Sequence, residues 1–224
     1  MQHITSETFD FLKKLSKNNN RDWFGEHKPK FKSLEDDVKL FFQALKDRME
    51  QHDQIERLKV FRIYRDVRFS KDKTPYKTQF SASFSRAGAA LRGGYYICVK
   101  PGASFIATGF WNPNKEDLYR IRKEWELDAS ELKDILNDKD FQRIWGQLQG
   151  EGVKSAPKGF DKEHPEIELI RKKQFIFVRN FSDDQVLSHN FLTEVDQSFQ
   201  AIRPFFDLMS SVLTTNLNGE SLID

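Results

Sequence analysis

Between Arg57 and Lys77 the chain carries eight basic side chains: Arg57, Lys59, Arg62, Arg65, Arg68, Lys71, Lys73 and Lys77. Only Asp66 and Asp72 oppose them, a local balance of +6 in a chain whose total is +2, so the remainder is net acidic. Cations this dense repel one another, and an anion offsets the repulsion. Guanidinium forks take carboxylate or phosphate in bidentate fashion, and lysine adds point charge. The chemistry on offer is anion recognition, with Arg65, Arg68, Lys73, Lys77 and Arg179 as ligand-binding candidates and Tyr76 as a hydroxyl donor.

Alternation sharpens the choice among them. Read as a strand, the segment VFRIYRDVRF puts Phe61, Ile63, Arg65, Val67 and Phe69 on one face. Arg65 then sits amid apolar neighbours, where an unpaired charge would cost several kcal/mol. It needs an internal carboxylate or a ligand anion. The segment FIFVRNF repeats the pattern, with Phe175, Phe177, Arg179 and Phe181 on one face. Two inward arginines could converge on one buried anion. The alternative is structural: Asp66 and Asp72 pair with neighbouring arginines and pin the loop SKDKTPYK, or Arg65 and Arg179 meet carboxylates such as Asp66 or Glu168.

Catalytic signals are sparse. The histidines His3, His27, His52, His164 and His189 never fall at HxxxH or HExxH spacing, so no metal site is expected. No GxSxG, P-loop or GxGxxG string occurs, and no cofactor is implied. Cys98 stands alone in YYICVK, where a small buried hydrophobe is the ordinary role. The acid–base candidates are Asp66 and Asp72 beside the arginines, with His164 next; His164 could instead cap the helix that Pro165 begins. In NNNRDWF, Arg21, Asp22, Trp23 and Phe24 either wall a pocket or anchor a helical corner, and Trp111 in GFWNP could stack on a ligand or join the core.

Several elements must position these groups. Thr5 is an N-cap for a helix through Phe9, Leu12 and Leu15, with Ile4 and Phe9 as a staple, ending at the triple asparagine. A short turn over 21–24 and a longer helix after Pro29 follow. Strands are expected over 58–65, 79–86, 94–100 and 104–110, joined so closely that they must be antiparallel. Asn114 caps a helix bearing Leu118, Ile121 and Trp125; Asp128 with Glu131 has capping-box spacing for a second helix; Phe141, Ile144, Trp145 and Leu148 mark a third. A short helix after Pro165 precedes the strand 175–181. Ser182 with Gln185 opens the last helical section, whose stripe is Phe191, Leu192, Val195, Phe199 and Ile202. Pro204 begins the terminal helix, and the tail after Asn216 should fray. The expected architecture is α+β: one domain over 1–224, a mainly antiparallel sheet flanked by helices.

With 21 Phe, 4 Trp and 31% charged residues of both signs, 224 residues can bury a core beneath an ordinary soluble surface. No apolar run of membrane-spanning length and no secretory signal occur, so a cytoplasmic location is expected. A pI of 8.5 is too mild to imply nucleic acid by itself.

The strings NNNRDWF (18–24) and FRIYRDVRFSKDKTPYKTQF (61–80) resemble the signatures of an uncharacterised domain-of-unknown-function family of bacteria and fungi. GYYICVKPGASFIATGFWNP and PKGFDKEHPEIELIRKKQF are similar to it too, so the resemblance spans nearly the whole chain. It implies one domain of the family's length and brings no activity or catalytic residues. The first expectation is therefore a small phosphate- or carboxylate-bearing ligand, with catalysis on it an open question. The alternative is a nucleic-acid or protein interaction module using the 57–77 surface, where Phe61, Tyr64, Phe69 and Tyr76 interleave with bases. The sequence leaves the oligomeric state undetermined.

Overall fold

The computed structural model describes residues 3–223. Helix α1 (Ser6–Lys17) starts at Thr5, whose hydroxyl accepts from the Thr8 N–H at 3.3 Å. It buries Phe9, Phe11, Leu12 and Leu15. Asn20 caps α2 (Arg21–Met49), its side chain accepting from the Trp23 N–H at 2.9 Å.

The expected break at Pro29 does not occur: the short turn and the longer helix are one 29-residue element. A proline inside a helix costs the hydrogen bond to residue i−4 and crowds its carbonyl. Here that residue is Gly25. Phe24 and Phe31, both buried, touch across the proline with centroids 5.2 Å apart. Tertiary packing on both sides outweighs the local penalty.

Strands β1 (Ile55–Val60), β2 (Phe80–Arg86), β3 (Gly94–Val99), β4 (Ser104–Phe110) and β5 (Phe175–Phe181) form one antiparallel sheet in chain order. Between β4 and β5 lie α3 (Lys115–Leu127), α4 (Ser130–Asn137), α5 (Lys139–Trp145) and α6 (Ile167–Ile170). After β5 come α7 (Asp183–Leu187), α8 (Phe191–Ala201) and α9 (Arg203–Thr214). The architecture is α+β.

Local signals account for most of these boundaries. Asn114 caps α3 by accepting from the Glu116 and Asp117 N–H groups. Ser182 and Gln185 form a reciprocal capping box for α7. The Asp128–Glu131 box does not form: α4 begins after Ala129 without a side-chain cap, and Asp128 accepts instead from the Ser130 N–H two residues on. That closer bond is an Asx turn, which competes with capping. The tail beyond Asn216 folds back, Thr215 bridging to Ser221 and the Leu222 N–H donating to the Thr214 carbonyl.

The chain divides into two compact units, each assembled from separated segments. The first holds the described residues up to Phe84, Tyr96–Ile106 and Asn180–Gln197; the second holds Ser85–Tyr95, Ala107–Arg179 and the described residues from Ser198 on. In the first, apolar faces of α1 and α2 make the core, with Phe41 stacked on Phe191 at 5.7 Å. In the second, Phe177 meets Phe141 and Phe205 edge-on, each at 5.1 Å. Gly109 (φ +118°) lets β4 approach β5 there: a Cβ would stand 2.1 Å from the Phe175 carbonyl oxygen.

Candidate anion site

The basic stretch is an irregular hairpin rather than a regular strand. Strand β1 stops at Val60, short of the expected Arg65. Pairing continues more sparsely: Phe61 N–H donates to Ser81 O, Lys77 N–H to Ile63 O at 2.7 Å, and Arg65 N–H to Pro75 O at 2.9 Å. Tyr64 and Tyr76 form an antiparallel bridge. Proline at 75 has no N–H to give back, which interrupts the ladder.

Side chains still alternate. Phe61, Ile63, Arg65 and Val67 are half-buried or buried, while Arg62, Tyr64, Asp66 and Arg68 are exposed. The exception is Phe69, expected inside and 96% exposed at the loop tip, beyond the last pairing contact.

Two Asx turns shape that tip. Asp66 accepts from the Arg68 N–H at 3.2 Å and Asp72 from the Thr74 N–H at 2.9 Å. Each aspartate also holds an arginine: Asp66 takes Arg68, and Asp72 takes Arg65, whose same nitrogen donates to the Thr74 hydroxyl. Lys73 donates to the Val67 carbonyl at 2.9 Å. The partner that Arg65 required is therefore an internal carboxylate, and the pairing pins the loop. The pair is not deeply buried, since the side chains are 25% and 59% exposed. Glu168 pairs instead with Arg171.

Behind the loop the triple asparagine closes the site. The Asn19 amide donates to the Tyr76 carbonyl at 2.9 Å and its oxygen accepts from the Tyr76 N–H at 3.1 Å. Tyr76 stacks on Phe24 with centroids 4.0 Å apart. Phe24 thus anchors the corner, whereas the Trp23 ring lies on His27 at 4.0 Å.

A cavity of about 490 Å³ opens between these elements, entirely within the first unit. Its walls are Ser16, Asn19, Arg65, Asp72, Thr74, Tyr76, Lys77, Thr78 and Gln79. A neighbouring cavity of about 310 Å³ shares Ser16 and Thr78 and adds Lys13, Lys100 and Asp183. Of the expected ligand-binding residues, Arg65, Tyr76 and Lys77 come together here, while Arg68 and Lys73 are engaged by the loop itself. Arg179 lies in the other unit, where it donates to the Ser198 hydroxyl.

The charges in the wall differ in kind. Backbone and hydroxyl bonds from Thr74, with Arg65, hold the Asp72 carboxyl down at about 2. It is ionised at neutral pH, which suits an acceptor and not a proton donor. Asp66 is likewise lowered, by Arg68 first. Lys77 has no carboxylate within 4 Å among the described residues. Its amine lies over the Phe61 ring at 5.5 Å. Partial burial, then the positive charge of Arg62, hold its ammonium below the ordinary lysine value.

The third acid–base candidate, His164, lies in the second unit and accepts from the Glu166 N–H through Nδ1 at 3.1 Å, beside the start of α6. Among the described residues no group of three or more His, Cys, Asp or Glu side chains could hold a metal ion. Cys98 is buried, and burial pushes its thiol up to about 11. Trp111, weighed against a core position, is 63% exposed. No described helix is long and apolar enough to cross a membrane.

Asn19, Thr74 and Thr78 escaped the sequence reading because a wall built from three distant segments has no periodicity. The most deeply buried arginine was also missed. Arg86, on β2, lies over the Phe206 ring at 5.1 Å and donates to the Arg92 carbonyl at 2.8 Å.

Fold and site together define an α+β protein with a basic hairpin loop over a polar cavity. The chain belongs to the family described as conserved hypothetical protein (DUF2461), which matches residues 7–208 and so includes every wall residue. The resemblance carried by the two motifs holds, and those motifs meet in space at Asn19 and Tyr76. No curated protein and no solved structure matches the chain.

Proposed function

We propose that the protein binds a small phosphate- or carboxylate-bearing ligand in the cavity beside Lys77. The observation that carries this is Lys77 itself, half-buried in the cavity wall with its ammonium 5.5 Å from the Phe61 ring centre and no carboxylate within 4 Å among the described residues. Such a group costs free energy until an anion reaches it. The surrounding Thr78 and Gln79, with the second N–H of the Asn19 amide, offer neutral donors for the remaining oxygens, and ionised Asp72 accepts from a hydroxyl on the same ligand. A sugar phosphate or hydroxy acid carries both kinds of group. Arg65 acts chiefly through Asp72 and Thr74, holding the wall in place.

A second reading makes the loop an interaction surface for nucleic acid or protein. Phe69 favours it, being 96% exposed with the Arg68 guanidinium 5.9 Å from its ring. A thermal-shift panel separates the two. Inorganic phosphate, sugar phosphates, dicarboxylates and short oligonucleotides are each tested at low and moderate salt. A ligand at a hundred times its dissociation constant adds about 2.7 kcal/mol, a readily visible rise in midpoint. Shifts by small anions that survive moderate salt support the cavity. Shifts by oligonucleotides alone, lost as salt releases counterions, support the surface.

A further inference from the structure

The second unit holds a cavity of about 500 Å³ lined on one side by α3 and on the other by residues 157–160. Its walls are of two kinds. Tyr119 and Phe160 meet edge-on with centroids 6.0 Å apart, and Pro157 adds a flat apolar face. Lys115, Arg122 and Lys158 supply three cations, against one carboxylate, Glu116.

None of these three cations has a carboxylate within 4 Å among the described residues. Arg122 donates one guanidinium nitrogen to the Lys172 carbonyl at 3.2 Å, while its buried Nε has no acceptor among the described residues. Burial holds its guanidinium below the usual arginine value, with no offsetting anion. Tyr119 is 55% exposed, and the Lys123 ammonium lies 5.9 Å from its ring centre and 4.9 Å from that of Phe160.

We propose that this cavity is a second binding site, for a planar aromatic molecule bearing an anionic group, of the mononucleotide class. The volume lies within the range of small-molecule sites. An aromatic ring stacks on Tyr119 and Phe160 as bases stack on aromatic platforms. The anionic group lies against Arg122, the least hydrated of the three cations, with Lys115 and Lys158 adding charge at the rim. A bare phosphate would leave the aromatic wall unfilled, and a neutral ring would leave Arg122 without an anion. Affinity therefore requires both parts in one molecule.

Calorimetric titration of the full chain with AMP, adenosine and inorganic phosphate tests this. AMP is expected to bind more tightly than adenosine or phosphate. In the Lys77→Met background, which removes the anion site proposed for the first unit, Arg122→Gln and Tyr119→Ala are each expected to weaken AMP binding by about tenfold or more. Tyr119 and Lys158 are exposed, so if Arg122→Gln fails to fold, Tyr119→Ala and Lys158→Gln give the same reading. No heat with AMP at millimolar concentration would overturn the assignment. So would AMP binding that survives these variants, or binding abolished by Lys77→Met alone, which would place AMP in the first cavity.

Discussion

The Asn19 side chain bonds the Tyr76 backbone twice, accepting its N–H at 3.1 Å and donating to its carbonyl at 2.9 Å, across 57 residues of sequence. In the non-hydrogen-bonded pair Tyr64–Tyr76, the Tyr76 backbone groups point away from the partner strand. One amide satisfies both, as a third strand would. The cavity wall therefore depends on the helical corner being in place.

Asn19→Ala is expected to cost about 2 kcal/mol, because it strands a donor and an acceptor that are partly buried. Asn19→Asp should cost at least as much. It keeps the acceptor for the N–H but turns a second oxygen toward the carbonyl. Urea denaturation of the two variants checks both the size and the order.

Lys77→Met is expected to raise the unfolding midpoint of the ligand-free protein while weakening phosphate binding by about tenfold or more. The folded ammonium sits below its unfolded value of 10.5, so the unfolded state holds the proton more firmly. Wild-type stability from this group should rise as pH climbs from the folded value toward 10.5, and Lys77→Met should lack that rise. A purely structural lysine would show the reverse, with the substitution destabilising. Thermal midpoints against pH decide it.

Asp72 makes the opposite prediction at the acid end. Its carboxyl is held at about 2 in the folded protein against an ordinary 3.8. Its contribution is fully present above the unfolded value and is lost as pH falls through about 2. Asp72→Ala should flatten the stability profile in that window and leave the profile above it parallel to wild type. Since Asp72, the partner of Arg65, is 59% exposed, Arg65→Ala should lower the midpoint only slightly, well short of what breaking a buried pair would do.

Gly109→Ala should destabilise by about 3 kcal/mol or more, since the new Cβ meets backbone and the residue holds φ +118°. Gly102→Ala, at φ +73° with open space around it, pays only the conformational cost and should be milder. Chemical denaturation of the two glycine variants gives the comparison.

Much of this architecture was legible because it rests on local rules. Alternating apolar residues mark β2 to β5, and the Thr5, Asn114 and Ser182 caps mark three helix starts. Packing decided the rest. Phe24 and Phe31 carry α2 across Pro29, and Pro75 interrupts the hairpin that periodicity extended as a strand. The site was half legible. An arginine on an apolar face required a partner, and Asp72 is that partner. The neutral half of the wall, Asn19, Thr74 and Thr78, was not legible, because it is assembled by long-range docking.

The central claim is that Lys77 awaits an anion, and its own titration tests this most directly. The ¹³C chemical shift of the Lys77 ε-methylene, assigned by its absence in Lys77→Met, is followed against pH with and without inorganic phosphate. A midpoint below 10.5 in the free protein that phosphate moves upward is the predicted result, because a bound anion favours the charged amine. A midpoint that saturating phosphate leaves in place, or one at the ordinary lysine value from the start, would contradict the claim.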